Sequence, residues 1–173
     1  NRGKRSVGID LRSERGRELL YKLAERSDVF LTSFLPEARR NLRIDVEDIR
    51  AVNPKIVYAR GSGQGVRGPD AERGGYDGAS FWARGGIAAA LTSDPSGPPV
   101  SQRPAFGDGI GGMTIAGGIA AALYRRERSG EPSVVDISLL ATAMWTLAPD
   151  ITMARALAGL AGRMPKFDRR MSP

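Results

Sequence analysis

The sequence predicts an α/β fold, a Rossmann-like parallel sheet with flanking helices, on three observations. Short strand patterns alternate with helical ones along the first sixty residues. The connections between those strands have room for a helix and little else, which implies parallel pairing with right-handed crossovers. A length of 173 residues, 41% hydrophobic and 26% charged, suits one domain with a substantial core.

Each element has its own signal. Ser6 to Leu11 alternates and is expected as a strand. Ser13 is placed to cap a helix whose apolar positions Leu19, Leu20, Leu23 and Ala24 recur at helical spacing. Val29 to Thr32 reads as a second strand and Ile56 to Ala59 as a third. Between them a short helix, near Asp45 to Val52, stops at Asn53-Pro54, because a proline disfavours helical geometry in the residue before it.

From Gly61 to Gly111 the composition turns to Gly, Pro, Ser and Asp, with polar loops at Gly63-Gln64-Gly65 and from Thr92 to Pro99. An apolar helix is expected between these loops, over Phe81 to Leu91. A long helix follows from about Gly109 to Arg128, closed by Gly130, with Arg125, Arg126 and Arg128 at the negative end of its dipole. Val134 to Ile137 is the last expected strand. Ser138 then caps an apolar helix through Met144, Trp145 and Leu147 that Pro149 interrupts.

Composition removes several function classes. The chain has no cysteine and no histidine, so disulfides, cysteine-ligated metals and the commonest metal ligand and general base are unavailable, and no metal is expected. Acid–base work would fall to carboxylates, Tyr or Lys. No apolar run approaches the roughly 20 residues of a membrane span, and the start lacks a charged-then-apolar signal pattern, so no membrane partner and a cytoplasmic location are expected. The net charge of +7 is spread from Arg2 to Arg170 without a dense basic tract, and aromatics are only 6%, which argues against nucleic acid as a partner.

Chemistry concentrates at Gly107-Asp108-Gly109. It places one carboxylate at the head of a glycine-rich helical run, where flanking glycines admit a bulky ligand and first-turn N–H groups favour the ionised side chain. On these three residues alone the pattern fits a carboxylate nucleophile or a helix-capping Asp. In an open α/β sheet, ligands bind beyond the carboxyl ends of the strands. The loops there hold Arg12, Ser33-Phe34 and Gly61-Ser62-Gly63-Gln64.

The order of short motifs along the chain resembles that of the family III coenzyme A transferases, a group that also contains α-methylacyl-CoA racemases. The opening Asn1 to Arg12 resembles "N-x-x-K-R-S-V-x-L-D-L-K", Asp28 to Pro36 resembles "D-V-x-x-E-N-F-x-P", and Asn53 to Tyr58 resembles "N-P-x-L-I-Y". Gly63-Gln64, Gly68-Pro69 and Gly75-Tyr76-Asp77 are similar to "G-Q-x-G-P…G-Y-D". Gly107-Asp108, Ala122 to Arg126 and Val134 to Leu139 are similar to "G-D…A-L-x-x-R…V-D-V-S-L".

The resemblance implies coenzyme A, as an acyl-CoA substrate, and a carboxylic acid as partners. It implies Asp108 as the nucleophile that forms an aspartyl anhydride and then a thioester, with the N–H groups of Gly109 to Gly112 as local oxyanion donors. Ile9, Arg12, Ser33, Phe34, Arg40, Gly63, Gln64, Tyr76 and Asp77 fall at or beside motif positions on the cofactor side. Thr32 to Glu37 replaces the usual Glu-Asn-Phe-Arg-Pro-Gly, and Asn41 occupies a position that is basic in the family, with Arg39 and Arg40 as neighbours able to reach the same phosphate. Tyr76 stands where the racemase branch carries a catalytic His, which favours transferase over racemase.

The same resemblance implies that residues 1–173 are part of a larger protein. They would cover most of its large domain, with an N-terminal strand segment and a small C-terminal domain outside them, residues 138–173 as a linker helix and exit, and an interlocked homodimer when complete. A non-catalytic CoA-binding module is the alternative outside catalysis.

Overall fold

The computed structural model describes residues 3–94 and 96–161. Three parallel strands, β1 (Val29–Thr32), β2 (Val57–Ser62) and β3 (Val134–Ser138), form a sheet in the order β1-β2-β3. Val29 pairs with Val57, and Tyr58 with Val134. The flanking helices are α1 (Glu14–Ala24), α2 (Pro36–Leu42), α3 (Val46–Val52), α4 (Ile87–Leu91), α5 (Phe106–Ser129), α6 (Leu139–Thr146) and α7 (Ala148–Ala161). A π-helix spans Asp77–Arg84. The α/β expectation is met.

Local chemistry starts several of these elements. Ser13 accepts the N–H of Gly16, and Ser138 accepts that of Ala141, each as the N-cap of the helix it precedes. Asp45 and Asp48 form a reciprocal capping box on α3. Gly130, with φ 75°, closes α5 through its N–H to the Arg126 carbonyl.

The core falls into two clusters. Ile44, Ile49, Ile56 and Tyr58 are fully or almost fully buried with Ala24, and Tyr58 stacks on Phe30 and donates its hydroxyl to the Ile44 carbonyl at 2.8 Å. Strand alternation sends Ala59 to the other face, and α5 packs against β2 and β3. There Phe81, Ile87 and Ala143 are buried together, flanked by Trp82, Ile110, Leu139 and Leu147.

Five expectations need correction. Ser6 to Leu11 is not a strand: Leu11 lies in a turn, Ser6 to Gly8 is exposed and β1 has a single neighbour, β2, among the described residues. The helix over Phe81 to Leu91 is two pieces, broken at Gly86, whose φ of 86° no right-handed helix accommodates. α5 starts at Phe106, not Gly109, after Ala105 in the left-handed region at φ 58°. Pro149 does not interrupt a helix but occupies the second position of α7, where its missing N–H costs nothing. By length and composition α5 is apolar enough to cross a membrane; it packs on β2 and β3, where a side chain at Gly118 would crowd Val135, while Gly107 abuts Phe81 of the π-helix and Gly111 abuts Leu139 of α6.

Candidate active site

The site begins where the glycines of the central motifs remove bulk. A side chain at Gly63, just beyond β2, would meet the backbone of Gly75 and the hydroxyl of Ser80; one at Gly75 would overlap that same hydroxyl. The loop from Gly65 to Gly75 therefore folds back into van der Waals contact with the end of β2. Gln64 locks the crossing by donating from Nε2 to Ser80 Oγ at 3.0 Å while accepting from Arg84 at 3.0 Å. Ser80 is wholly buried on the π-helix, a backbone form that recurs at functional sites.

Beyond the carboxyl ends of β1 and β2 this crossing leaves an open cleft of about 500 Å³. Its walls come from the β1 loop (Thr32 to Pro36), the β2 loop (Gly61 to Gly63), Tyr76, the first turns of α5 (Asp108, Gly111, Gly112, Ile115), and Ile137 with Leu139 after β3. Most of the lining is apolar. Two arginines, Arg39 and Arg60, are among its lining residues.

Both arginines are fixed by carboxylates. Arg39 is 4% exposed; its Nε donates to Asp45 at 3.2 Å and its Nη1 to the Phe34 carbonyl at 2.8 Å. Arg60 is held by Asp136 through both Nε and Nη2, with Asp45 at 3.7 Å from Nη1. That pairing with Asp136 raises the Arg60 pKa above its ordinary value. The alternating row Arg39–Asp45–Arg60–Asp136 keeps two fixed cations at the cleft floor without an unpaired buried charge.

Asp108 stands opposite, third residue of α5 and exposed to the cleft. Its side chain makes no hydrogen bond or ion pair among the described residues, so it does not cap its own helix. Partial desolvation, with the nearby Asp77 charge second, raises its pKa above the usual carboxylate value. First-turn N–H groups were expected to hold it ionised; burial and the like charge outweigh them. A carboxylate whose pKa is raised is more basic, and a better nucleophile, than one of ordinary pKa.

The oxyanion expectation also changes with the helix start. The Gly109 N–H already bonds the Ala105 carbonyl at 2.9 Å, and those of Gly111 and Gly112 belong to the helical ladder. Among the first-turn N–H groups, those of Phe106 and Asp108 have no partner among the described residues, while that of Gly107 goes to Asp77.

Of the residues singled out from the sequence, Asp108, Ser33, Phe34, Gly63 and Tyr76 meet at the cleft. Phe34 is 49% exposed and Tyr76 85%, both offering ring faces to a ligand. Ile9 and Arg12 do not line it; the Arg12 N–H bonds Asp10, and its guanidinium is exposed without a partner among the described residues. Arg40 is exposed and paired with Glu72, while its neighbour Arg39 points inward. Gln64 and Asp77 lie behind the cleft wall as positioning contacts.

Arg60 went unnoticed in the sequence, and Gly112 was read only as a backbone donor. Arg60 ends the buried stretch Val57 to Ala59, where a charge invites notice, and Gly112 lies one turn after Asp108 on the same helix face.

Known proteins share this sequence pattern and fold. The family model of CoA-transferase family III matches residues 1–173. The chain is 34% identical over 155 residues to the cinnamoyl-CoA:phenyllactate CoA-transferase of Clostridium sporogenes, covering 90% of this chain and 37% of that protein. It is 36% identical over 140 residues to the acetyl-CoA:oxalate CoA-transferase of Acetobacter aceti, covering 80% of this chain and 36% of that one. Among solved structures, Rv3272 of Mycobacterium tuberculosis superposes with a TM-score of 0.84 at 32% identity over 91% of this chain and 44% of its own. A CAIB/BAIF family protein from Brucella suis gives 0.82 at 34% identity over 96% and 42%. The chain thus spans about two fifths of the length of these relatives. By its whole-length family match and its fold, this chain belongs to CoA-transferase family III.

Proposed function

We propose that the cleft transfers coenzyme A from an acyl-CoA thioester to a carboxylic acid, with Asp108 as the attacking group. The observation that carries the reading is an unpartnered carboxylate of raised pKa, set on the first turn of a helix and facing a largely apolar cleft. Asp108 attacks the thioester carbonyl; the C–S bond breaks, leaving a mixed anhydride and CoA thiolate. Thiolate then attacks the aspartyl carbonyl, releasing the donor acid and forming an aspartyl-CoA thioester. The acceptor carboxylate attacks that thioester, and the thiolate returns to the acceptor acyl carbon, freeing Asp108.

Every attacking and departing group in this cycle is a carboxylate or a thiolate. No proton needs to move, so a chain without histidine is adequate to the chemistry. Arg39 and Arg60 provide fixed positive charge for a carboxylate or phosphate, and Phe34 and Tyr76 provide ring faces for the CoA chain or its base. The unbonded N–H groups of Phe106 and Asp108 are the local candidates for oxyanion stabilisation.

The test is Asp108→Asn in the full-length protein, with acetyl-CoA and cinnamoyl-CoA as donors. Asn keeps the shape and cannot form the anhydride, so turnover should fall by about 10⁴-fold or more. An active Asn variant would exclude the covalent route, and retained CoA binding without turnover in the wild type would favour a binding module.

A further inference from the structure

We infer that Asp77 is a positioning residue for the transfer reaction: it caps α5 from thirty residues upstream and fixes the turn that presents Asp108 to the cleft. The inference rests on the reading of Asp108 as the nucleophile. α5 lacks a cap of its own, since Ala105 precedes it in the left-handed region and has no side-chain acceptor. Asp77 takes that place. Its Oδ1 accepts the Gly107 N–H at 3.0 Å, in a buried bond, and Asp77 itself is 8% exposed.

The contact is built for proximity. Asp77 is the first residue of the π-helix and Gly107 the second of α5, so the positive ends of two helices converge on one carboxylate. Any side chain at Gly107 would overlap Asp77 Oδ1 and the ring of Phe81. Phe81 is fully buried and meets Phe106 edge-on, at a centroid distance of 6.2 Å. The first two residues of α5 are thus pinned by the π-helix, and Asp108 is the next residue. The second oxygen of Asp77 is buried without a partner among the described residues, which leaves the Gly107 bond as the side chain's one anchoring hydrogen bond.

The experiment compares Asp77→Ala, Asp77→Asn and Asp77→Glu in the full-length enzyme, by kcat and KM with acetyl-CoA and cinnamoyl-CoA and by amide exchange at residues 105–109. The Ala variant should lose on the order of 10²-fold in kcat, the scale of a small misplacement of a reacting group, with little change in KM and faster exchange of the Gly107 amide. Asn retains an acceptor at the same reach and should restore most of kcat and the protection.

Should Ala not fold, the Glu variant, whose acceptor is displaced by one methylene, gives the same comparison through lowered kcat. Wild-type kcat and protection in the Ala or the Glu variant, or an Asn variant no better than Ala, would overturn the proposal. Wild-type enzyme is treated in parallel with acyl-CoA and hydroxylamine. Absence of a label on Asp108 there would refute the nucleophile, whereas a labelled Asp108 with indifferent Asp77 variants would refute only the positioning role.

Discussion

Around Ile49 and Tyr58, the side of the molecule formed by α1 and α3 is filled by large side chains, whereas on the side formed by α5 and α6 the small residues Gly107, Gly111, Ala122 and Ala143 are buried on the helices themselves, beside the large ring of Phe81. The first side gains its stability from buried area and amphipathic helices. On the second, backbones approach closely, and large apolar side chains such as Met113, Tyr124 and Trp145 remain exposed on the outer surface of α5 and α6. The cleft opens where the two kinds of packing meet. Its fixed cation Arg39 comes from the first side, and its carboxylate Asp108 from the second.

The sharpest way to break this comparison is a pair of substitutions. Ile49→Ala removes a fully buried side chain from the first cluster and should cost about 2–5 kcal/mol in denaturant unfolding. Gly117→Ala adds a methyl in the middle of α5 where nothing lies within 4 Å, and should stabilise by up to about 1 kcal/mol through helix propensity alone. A small loss at Ile49, or a clear destabilisation at Gly117, would mean that the two sides do not differ in the manner described.

A smaller effect concerns pH. The folded-state pKa of Asp108 is raised above its ordinary 3.8, so the folded chain holds that proton more tightly than the unfolded one. The contribution of this group to stability is therefore largest below about pH 3.8 and is lost as pH rises through the folded pKa. Asp108→Asn should melt no lower than wild type at pH 7, and slightly higher if the Asp77 repulsion is felt. That advantage should shrink in melting scans taken at progressively lower pH. A variant that melts lower at pH 7 would show that Asp108 stabilises the helix after all.

Much of the first side was legible in the sequence. Ser13, Asp45 and the spacing of Leu20 and Ala24 place α1 and α3 within a residue, and Val29 to Thr32 is β1 as expected. Helix α2 was not foreseen, although Pro36 at its first position followed by Glu37 is an ordinary helix start. The second side was harder to read. Close glycine contacts such as Gly63 on Gly75, or Gly107 on Phe81, depend on residues far apart in the chain and leave no local pattern.

For the same reason α5 was expected to begin at Gly109. Its cap comes from Asp77, a partner no sequence window contains, and Ala105 carries no capping signal. Asp108 itself was legible because its glycine neighbours are. Arg39 and Arg40 were named together and Arg40 was preferred, since adjacent arginines are told apart only by which one the helix turns inward.

The central claim is that Asp108 becomes acylated. Full-length enzyme incubated with acetyl-CoA or cinnamoyl-CoA, quenched with hydroxylamine and mapped by peptide mass spectrometry, should carry a hydroxamate on Asp108 and on no other carboxylate. A hydroxamate on a different residue, or none while transfer proceeds, would contradict the account.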